Sequence, residues 1–227
     1  MPTHPSSAFD PLTIGPLKLR NRIIKSATNE GMAKQGVVSR GLANFHARIA
    51  AGGAAMSTVA YCATSMDGRT FVDQATLNPE SAEDFRALTE GVHRGGAAAC
   101  AQITHAGCFT FLPRDQLTTS PLSASGGLNK VGVMTGRFTK KKMSRDAMDA
   151  MANEFVVAAK LARDCGFDAV EIHMGHGYLL SQFVSRFYNK RWDKYGGSID
   201  KRMAFPAEVL SKVLDAVGKD IAVIVKY

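Results

Sequence analysis

Short apolar runs that read as β-strands alternate strictly with amphipathic helical stretches along this chain, and that alternation limits the fold more than any other feature. Strand-like runs at Arg22–Ser26, Ala54–Tyr61, Ala97–Thr104, Ala169–Ile172 and Ile221–Lys226 are separated by helical runs at Ser39–Ala51, Glu80–His93, 144–165 and 198–218. Parallel strands need long crossovers, normally helices, so this pattern predicts an α/β protein with a parallel sheet. The helix boundaries carry their own chemistry. Ser39 and Ser198 are placed to cap helices, Asn78 precedes Pro79 at a first helical position, and Gly52, Gly166 and Gly218 stand at stops. Met148, Met151, Phe155, Ala159, Ala162 and Cys165 recur at helical spacing and read as core. Pro206 is expected to kink or restart its helix.

Two segments stand outside the alternation. Residues 12–20 hold a Gly-Pro turn between short β-like pieces, which predicts a small N-terminal hairpin. Residues 107–143 carry scattered glycines and prolines and read as a long irregular excursion, a length that usually signals function or disorder. No G-x-G-x-x-G follows the first strand, which weakens an open dinucleotide-binding sheet and favours a barrel.

Composition excludes several classes. No apolar run approaches the ~18 residues of a transmembrane helix, so no membrane partner is expected. The N-terminal MPTHPSSAFDPL does not read as a secretory leader. The net charge of +8 is not gathered into a basic, aromatic-lined face, so no nucleic-acid partner is expected. The Lys140-Lys141-Lys142 run reads as a solvated loop before a helix. Cys62, Cys100, Cys108 and Cys165 form no C-x-x-C pair, which speaks against a metal site and for a reducing, cytoplasmic setting.

The fourth strand ends in His173-Met174-Gly175-His176-Gly177-Tyr178. In α/β folds chemistry sits just past the carboxyl ends of parallel strands. Two imidazoles and a phenol at that place offer two hydrogen-bond donors and an acid around one space. His173 and His176 are therefore candidate substrate-binding residues and Tyr178 a candidate catalytic acid. A His-x-x-His pair also suits a metal, though no third ligand is evident in the sequence.

EIHMGHGYLLSQFVSRFYNKRWDKYGGS, residues 171–198, resembles the signature of the Old Yellow Enzyme family of FMN-dependent NAD(P)H oxidoreductases. The likeness continues in LKLRNRIIKSAT, GGAAMSTVAYCAT, AAACAQITHAG and GFDAVEIH, and so covers nearly the whole chain. It implies a (β/α)8 TIM barrel, here incomplete, with residues 1–227 forming a single C-terminally truncated domain of about strands one to five. It also implies FMN as cofactor, NADH or NADPH as reductant, and a ping-pong hydride transfer to the activated double bond of an enone-type substrate. In the family's scheme, His173 and His176 bind the substrate oxygen and Tyr178 is the acid. Ser26, Ala27 and Thr28 touch the flavin by backbone and hydroxyl. Ala60 leaves room for the ring, Gln102 pairs with its pyrimidine edge, and Lys226 faces the N1/O2 region; His105 supports from behind.

The sequence departs from the pattern at Cys108, where arginine is frequent, at Arg186, where proline is usual, and at Glu30, which is aromatic in some members. The loops that hold the FMN phosphate in the family follow strands seven and eight, beyond Tyr227. Two other readings stay open: a catalytically silent relative or assembly partner, and a metal-dependent barrel enzyme. A homo-oligomer is left open as well.

Overall fold

The structure is a computed structural model that describes residues 7–227. The absence of a leader was read partly from residues 1–6, which lie outside that range.

The chain opens with the expected hairpin. Strands β1 (Leu12–Ile14) and β2 (Leu17–Leu19) pair antiparallel about Gly15, whose φ of +54° suits glycine. The alternation then appears as β3 (Ile24–Lys25), α1 (Arg40–Ala51), β4 (Met56–Ala63), α2 (Ala82–Arg94) and β5 (Ala98–Thr104). After the excursion come α3 (Arg145–Asp164), β9 (Ala169–His173), α4 (Leu179–Val184), α5 (Ile199–Val217) and β10 (Ala222–Lys226). The first strand shrinks to two ladder residues, and Pro206 lies inside an unbroken α5. The caps read at Ser39 and Ser198 form, each accepting a backbone N–H through the side chain, and Asn78 with Ser81 makes a capping box; Ser144 caps α3 in the same way. That box opens a 3-10 turn at Pro79–Ser81, so the α-helix starts at Ala82 rather than Glu80.

The five main strands run parallel in the order β10-β9-β5-β4-β3. Their outward side chains join α1, α2, α3 and α5 in one core that includes Val59, Ile103, Val170, Ile172, Phe85, Phe155 and Phe205. Among the described residues, the other face carries no helix. At its base Met56, Cys100, Ala169 and Ala222 meet Leu19, so the hairpin plugs the amino-terminal end of the strands. A sheet covered on one face and plugged at one end is a segment of a barrel wall.

The excursion is more ordered than its composition suggests. It holds a small sheet of β6 (Leu122–Ser123), β7 (Gly127–Leu128) and β8 (Thr139–Lys142) in the order β6-β8-β7. Lys140–Lys142 are therefore strand residues, not loop. The buried Arg191 fastens this sheet to the body. Its guanidinium donates to the carbonyls of Ala124 and Met143, both at 2.9 Å, and forks onto Asp193. Asn189 braces the same turn by donating to the Phe183 and Tyr195 carbonyls. The turn before α5 is thus a brace for the fold.

Candidate functional site

Strand pleating decides which side chains share the helix-free face. Successive side chains alternate, and directly paired residues of parallel strands point the same way. With Cys100 and Ala169 inward at the base, Gln102 and Thr104 follow inward on β5, and Glu171 and His173 on β9. Lys226 lies opposite His173 and joins them from β10, while Thr58 lies opposite Cys100 on β4. Above its apolar base, then, the concave face is polar. Gln102 is buried and its amide donates to Glu171 Oε1 at 2.6 Å. The buried Thr104 hydroxyl has no hydrogen-bond partner among the described residues.

His173 is buried, and its Nδ1 accepts the Gly175 N–H at 3.2 Å. Burial, then the neighbouring His176 and Lys226, lower its pKa from 6.5 to about 4. A neutral imidazole accepting at Nδ1 carries its proton on Nε2, so that nitrogen is a donor at ordinary pH. The His176 ring stands 4.9 Å away at 80°, on an exposed residue whose φ of +58° is unusual for a side-chain-bearing residue. Tyr178 packs edge-on to His173 at 5.0 Å and to Phe109 at 5.7 Å, and stacks on Tyr61 at 5.4 Å. Burial, then the Tyr178 phenol, raise the pKa of Tyr61, so Tyr61 stays protonated. The loop between His173 and α4 is pinned by Gln182, which donates to the carbonyls of Ala106 at 3.0 Å and Gly177 at 2.8 Å. Gly107 has a φ of +62°, and a Cβ there would lie 2.7 Å from the Gln182 side chain, so backbone and packing both favour glycine.

The other residues singled out from sequence are spread more widely. Ala60 is buried on β4, small as read. Ser26 and Thr28 are exposed beyond β3, Ala27 is half-buried, and the Thr28 hydroxyl reaches only its neighbour's carbonyl at 3.5 Å. Glu30, the departure from the family pattern nearest β3, pairs with Lys25. His105 is buried, with Nδ1 accepting from Gly107. All four cysteines are free and buried. Among the described residues, no group of three or more His, Cys, Asp or Glu side chains is placed to hold a metal, and no helix is long and apolar enough to cross a membrane.

Sequence reasoning missed Tyr61, Glu171, Thr104 and Gln182. Glu171 and Thr104 lay two residues from singled-out neighbours, at strand period, and were findable. Tyr61 was not, because the ladder shifts register between Val59 and Cys62, and no motif marks that bulge.

The NADH:flavin oxidoreductase / NADH oxidase family model matches residues 7–227. The chain belongs to this family. The 4,4'-dithiodibutanoate disulfide reductase of Rhodococcus erythropolis is 43% identical over 228 residues, spanning 100% of this chain and 55% of that protein. The NADH oxidase of Thermoanaerobacter brockii is 31% identical, over 99% of this chain and 34% of its own length. Old Yellow Enzyme from Pichia sp. AKU4542 superposes with a TM-score of 0.88 at 26% identity, over 96% of this chain and 58% of the other. The chain therefore spans between about a third and three-fifths of these relatives, and its parallel sheet is part of a TIM-barrel wall.

The family's flavin fits what the concave face presents. The buried Thr104 hydroxyl, unpartnered among the described residues, the Gln102 amide and the Lys226 ammonium are polar groups that suit a polar ligand.

Proposed function

We propose that the protein containing this chain is an FMN-dependent NAD(P)H oxidoreductase that reduces the activated double bond of α,β-unsaturated carbonyl compounds. The observation that carries this reading is the setting of the His173 ring, which accepts the Gly175 N–H at Nδ1 and stands against His176 and Tyr178. Its Nδ1 is occupied by Gly175 and its ring is neutral, so Nε2–H is a fixed donor beside a second imidazole and a phenol.

Bound FMN would supply the hydride, itself obtained from NADH or NADPH, to the β-carbon of the acceptor. His173 and His176 hold the acceptor's carbonyl oxygen, where negative charge builds up as the hydride arrives. One well-placed donor of this kind is worth ~2.7–4 kcal/mol of barrier. Tyr178 passes its hydroxyl proton to the α-carbon. The packing of Tyr61, Phe109 and His173 around its ring fixes the direction of that hydroxyl. Gln102 holds the pyrimidine edge of the ring, with Glu171 orienting its amide. Lys226 would supply positive charge at N1/O2, Ala60 would leave room for the ring, and Ser26, Ala27 and Thr28 would contact it from the segment after β3.

The Rhodococcus relative favours a second acceptor class, an organic disulfide. There the hydride adds to one sulfur, the S–S bond breaks, and the other sulfur leaves as a thiolate that takes the Tyr178 proton. Half-reactions of the full-length protein test both readings. Tyr178→Phe is expected to slow flavin reoxidation by the true acceptor by ~10²–10⁴-fold while sparing reduction by NAD(P)H. Equal loss in both half-reactions removes Tyr178 from the role of acid. A full-length protein that stays colourless with excess FMN supports the silent-relative reading instead.

A further inference from the structure

We propose, building on the reading of Tyr178 as the acid, that Tyr61 is its positioning residue: the Tyr61 hydroxyl donates to the Tyr178 oxygen and stabilises the phenolate left when Tyr178 gives up its proton. Three rings pack on Tyr178, those of Tyr61, Phe109 and His173, and of these Tyr61 alone carries a hydroxyl. Its ring lies nearly face to face with that of Tyr178, with centroids 5.4 Å apart and planes at 21°. The bulge in β4 is what brings it there. Val59 and Cys62 both enter the outer core although they stand three residues apart, and the ladder to β5 shifts register between them. Regular alternation would turn Tyr61 outward with Val59, whereas the extra residue leaves Ala60 and Tyr61 together on the concave side. The segment is braced: Gln74 donates to the Tyr61 carbonyl at 2.8 Å and accepts the Thr70 N–H at 2.5 Å.

An acid is only as strong as the base it leaves behind. Once the hydride has reached the acceptor, the Tyr178 O–H bond breaks. The proton goes to the α-carbon of an enone or to the leaving sulfur of a disulfide, and the electron pair of the bond stays on the Tyr178 oxygen. Solvent returns a proton before the next turnover. A phenolate among packed rings is costly unless a donor meets it, and a hydrogen bond to a charged oxygen is about twice as strong as one between neutral groups. Tyr61 suits that task because it keeps its own proton. Burial, then the Tyr178 charge, raise its pKa, and a hydrogen bond with the Tyr178 side chain adds to the rise, which is the sign expected of a phenol that donates.

Stopped-flow reoxidation of the NAD(P)H-reduced full-length protein tests the pair, with 2-cyclohexen-1-one and separately 2-hydroxyethyl disulfide as acceptors. It is followed across pH in wild type, Tyr61→Phe, Tyr178→Phe and the double variant. Tyr61→Phe keeps the ring and the stack and removes only the hydroxyl. It is expected to slow reoxidation by the productive acceptor about tenfold and to leave flavin reduction unchanged. The alkaline pH at which the rate falls should rise by about one unit, because Tyr178 has become the weaker acid. His173 and His176 beside Tyr178, and Lys226 opposite His173, are untouched by the variant, so the shift reports the Tyr61 hydroxyl. In the Tyr178→Phe background the same change should have no effect, since it acts only through Tyr178. If Tyr178→Phe is slow but Tyr61→Phe keeps the wild-type rate, slows without the alkaline shift, or slows both backgrounds equally, the role of Tyr61 is overturned and the acid reading of Tyr178 stands. An undiminished rate in Tyr178→Phe, or no reoxidation by either acceptor, overturns both.

Discussion

Neighbouring residues on one strand meet very different surroundings. On β5, Ala99, Ala101 and Ile103 enter the core beneath the helices, whereas Gln102 and Thr104 point into the concave face among Glu171, His173 and Lys226. The outer face is closed, apolar and complete within the described residues. The inner face is apolar only at its base and polar above it, with a hydroxyl left unpartnered. A sheet that needed only stability would present apolar side chains on both faces, as fully covered parallel sheets do. The inner polarity is what a ligand, rather than the fold, requires.

The largest expected contrast comes from damaging the outer face alone. Phe155 is fully buried between α3 and the sheet, so Phe155→Ala is expected to cost ~3–5 kcal/mol of stability, read from the denaturant midpoint. Because Phe155 touches nothing on the concave face, the flavin spectrum and half-reaction rates of the protein that remains folded should stay unchanged. Altered half-reaction rates in that fraction would show that the two faces are not separable.

Acid is expected to act next, and on both faces together. His46 lies in the outer layer with Nδ1 on Ser57 at 2.7 Å, and burial, then Lys25, lower its pKa to about 3. His105 and His173 are lowered to about 4, by burial first in each case. A histidine whose folded pKa is depressed leaves the unfolded chain to take the proton first. Its contribution is therefore whole above the ordinary 6.5 and is lost as pH falls through the folded value. The loss should be on the order of a few kcal/mol between pH 6.5 and 4, seen as a falling urea midpoint. His173 should meanwhile stay a neutral donor across the range in which enzymes are assayed. A stability profile flat down to pH 4 would show that these rings are hydrated or already charged.

The two faces also differ in how far the sequence revealed them. The outer face was legible because helical spacing and strand runs record burial directly: Met148, Met151 and Phe155 were expected in the core and are there. The His173–Tyr178 cluster was legible because it follows a strand end. Three things were hidden. The bulge after Val59 that swings Tyr61 onto Tyr178 depends on pairing register, which belongs to two strands at once. The left-handed turn begins on a side-chain-bearing residue, His176, and the flanking Gly175 and Gly177 do not announce that. The small sheet in the excursion is held by Arg191, 48 to 67 residues downstream of the carbonyls it binds, so its local sequence reads as loop.

The finest test uses adjacent residues. Ile103→Val removes one methylene from the outer face and is expected to cost ~0.5–1.5 kcal/mol of stability, with flavin affinity and reduction potential unchanged. Gln102→Met keeps the length of the side chain on the inner face but removes the amide that donates to Glu171 and offers an acceptor to the ring. Losing one such hydrogen bond should weaken FMN binding by ~0.5–1.5 kcal/mol and move the potential, because the Glu171 carboxylate is then released toward the ring. The two costs are similar in size but should appear in different measurements, one in the denaturant midpoint and the other in the flavin. If Gln102→Met leaves the flavin's affinity and potential untouched while the denaturant midpoint falls, the amide serves the sheet, and the polarity of the concave face needs another explanation.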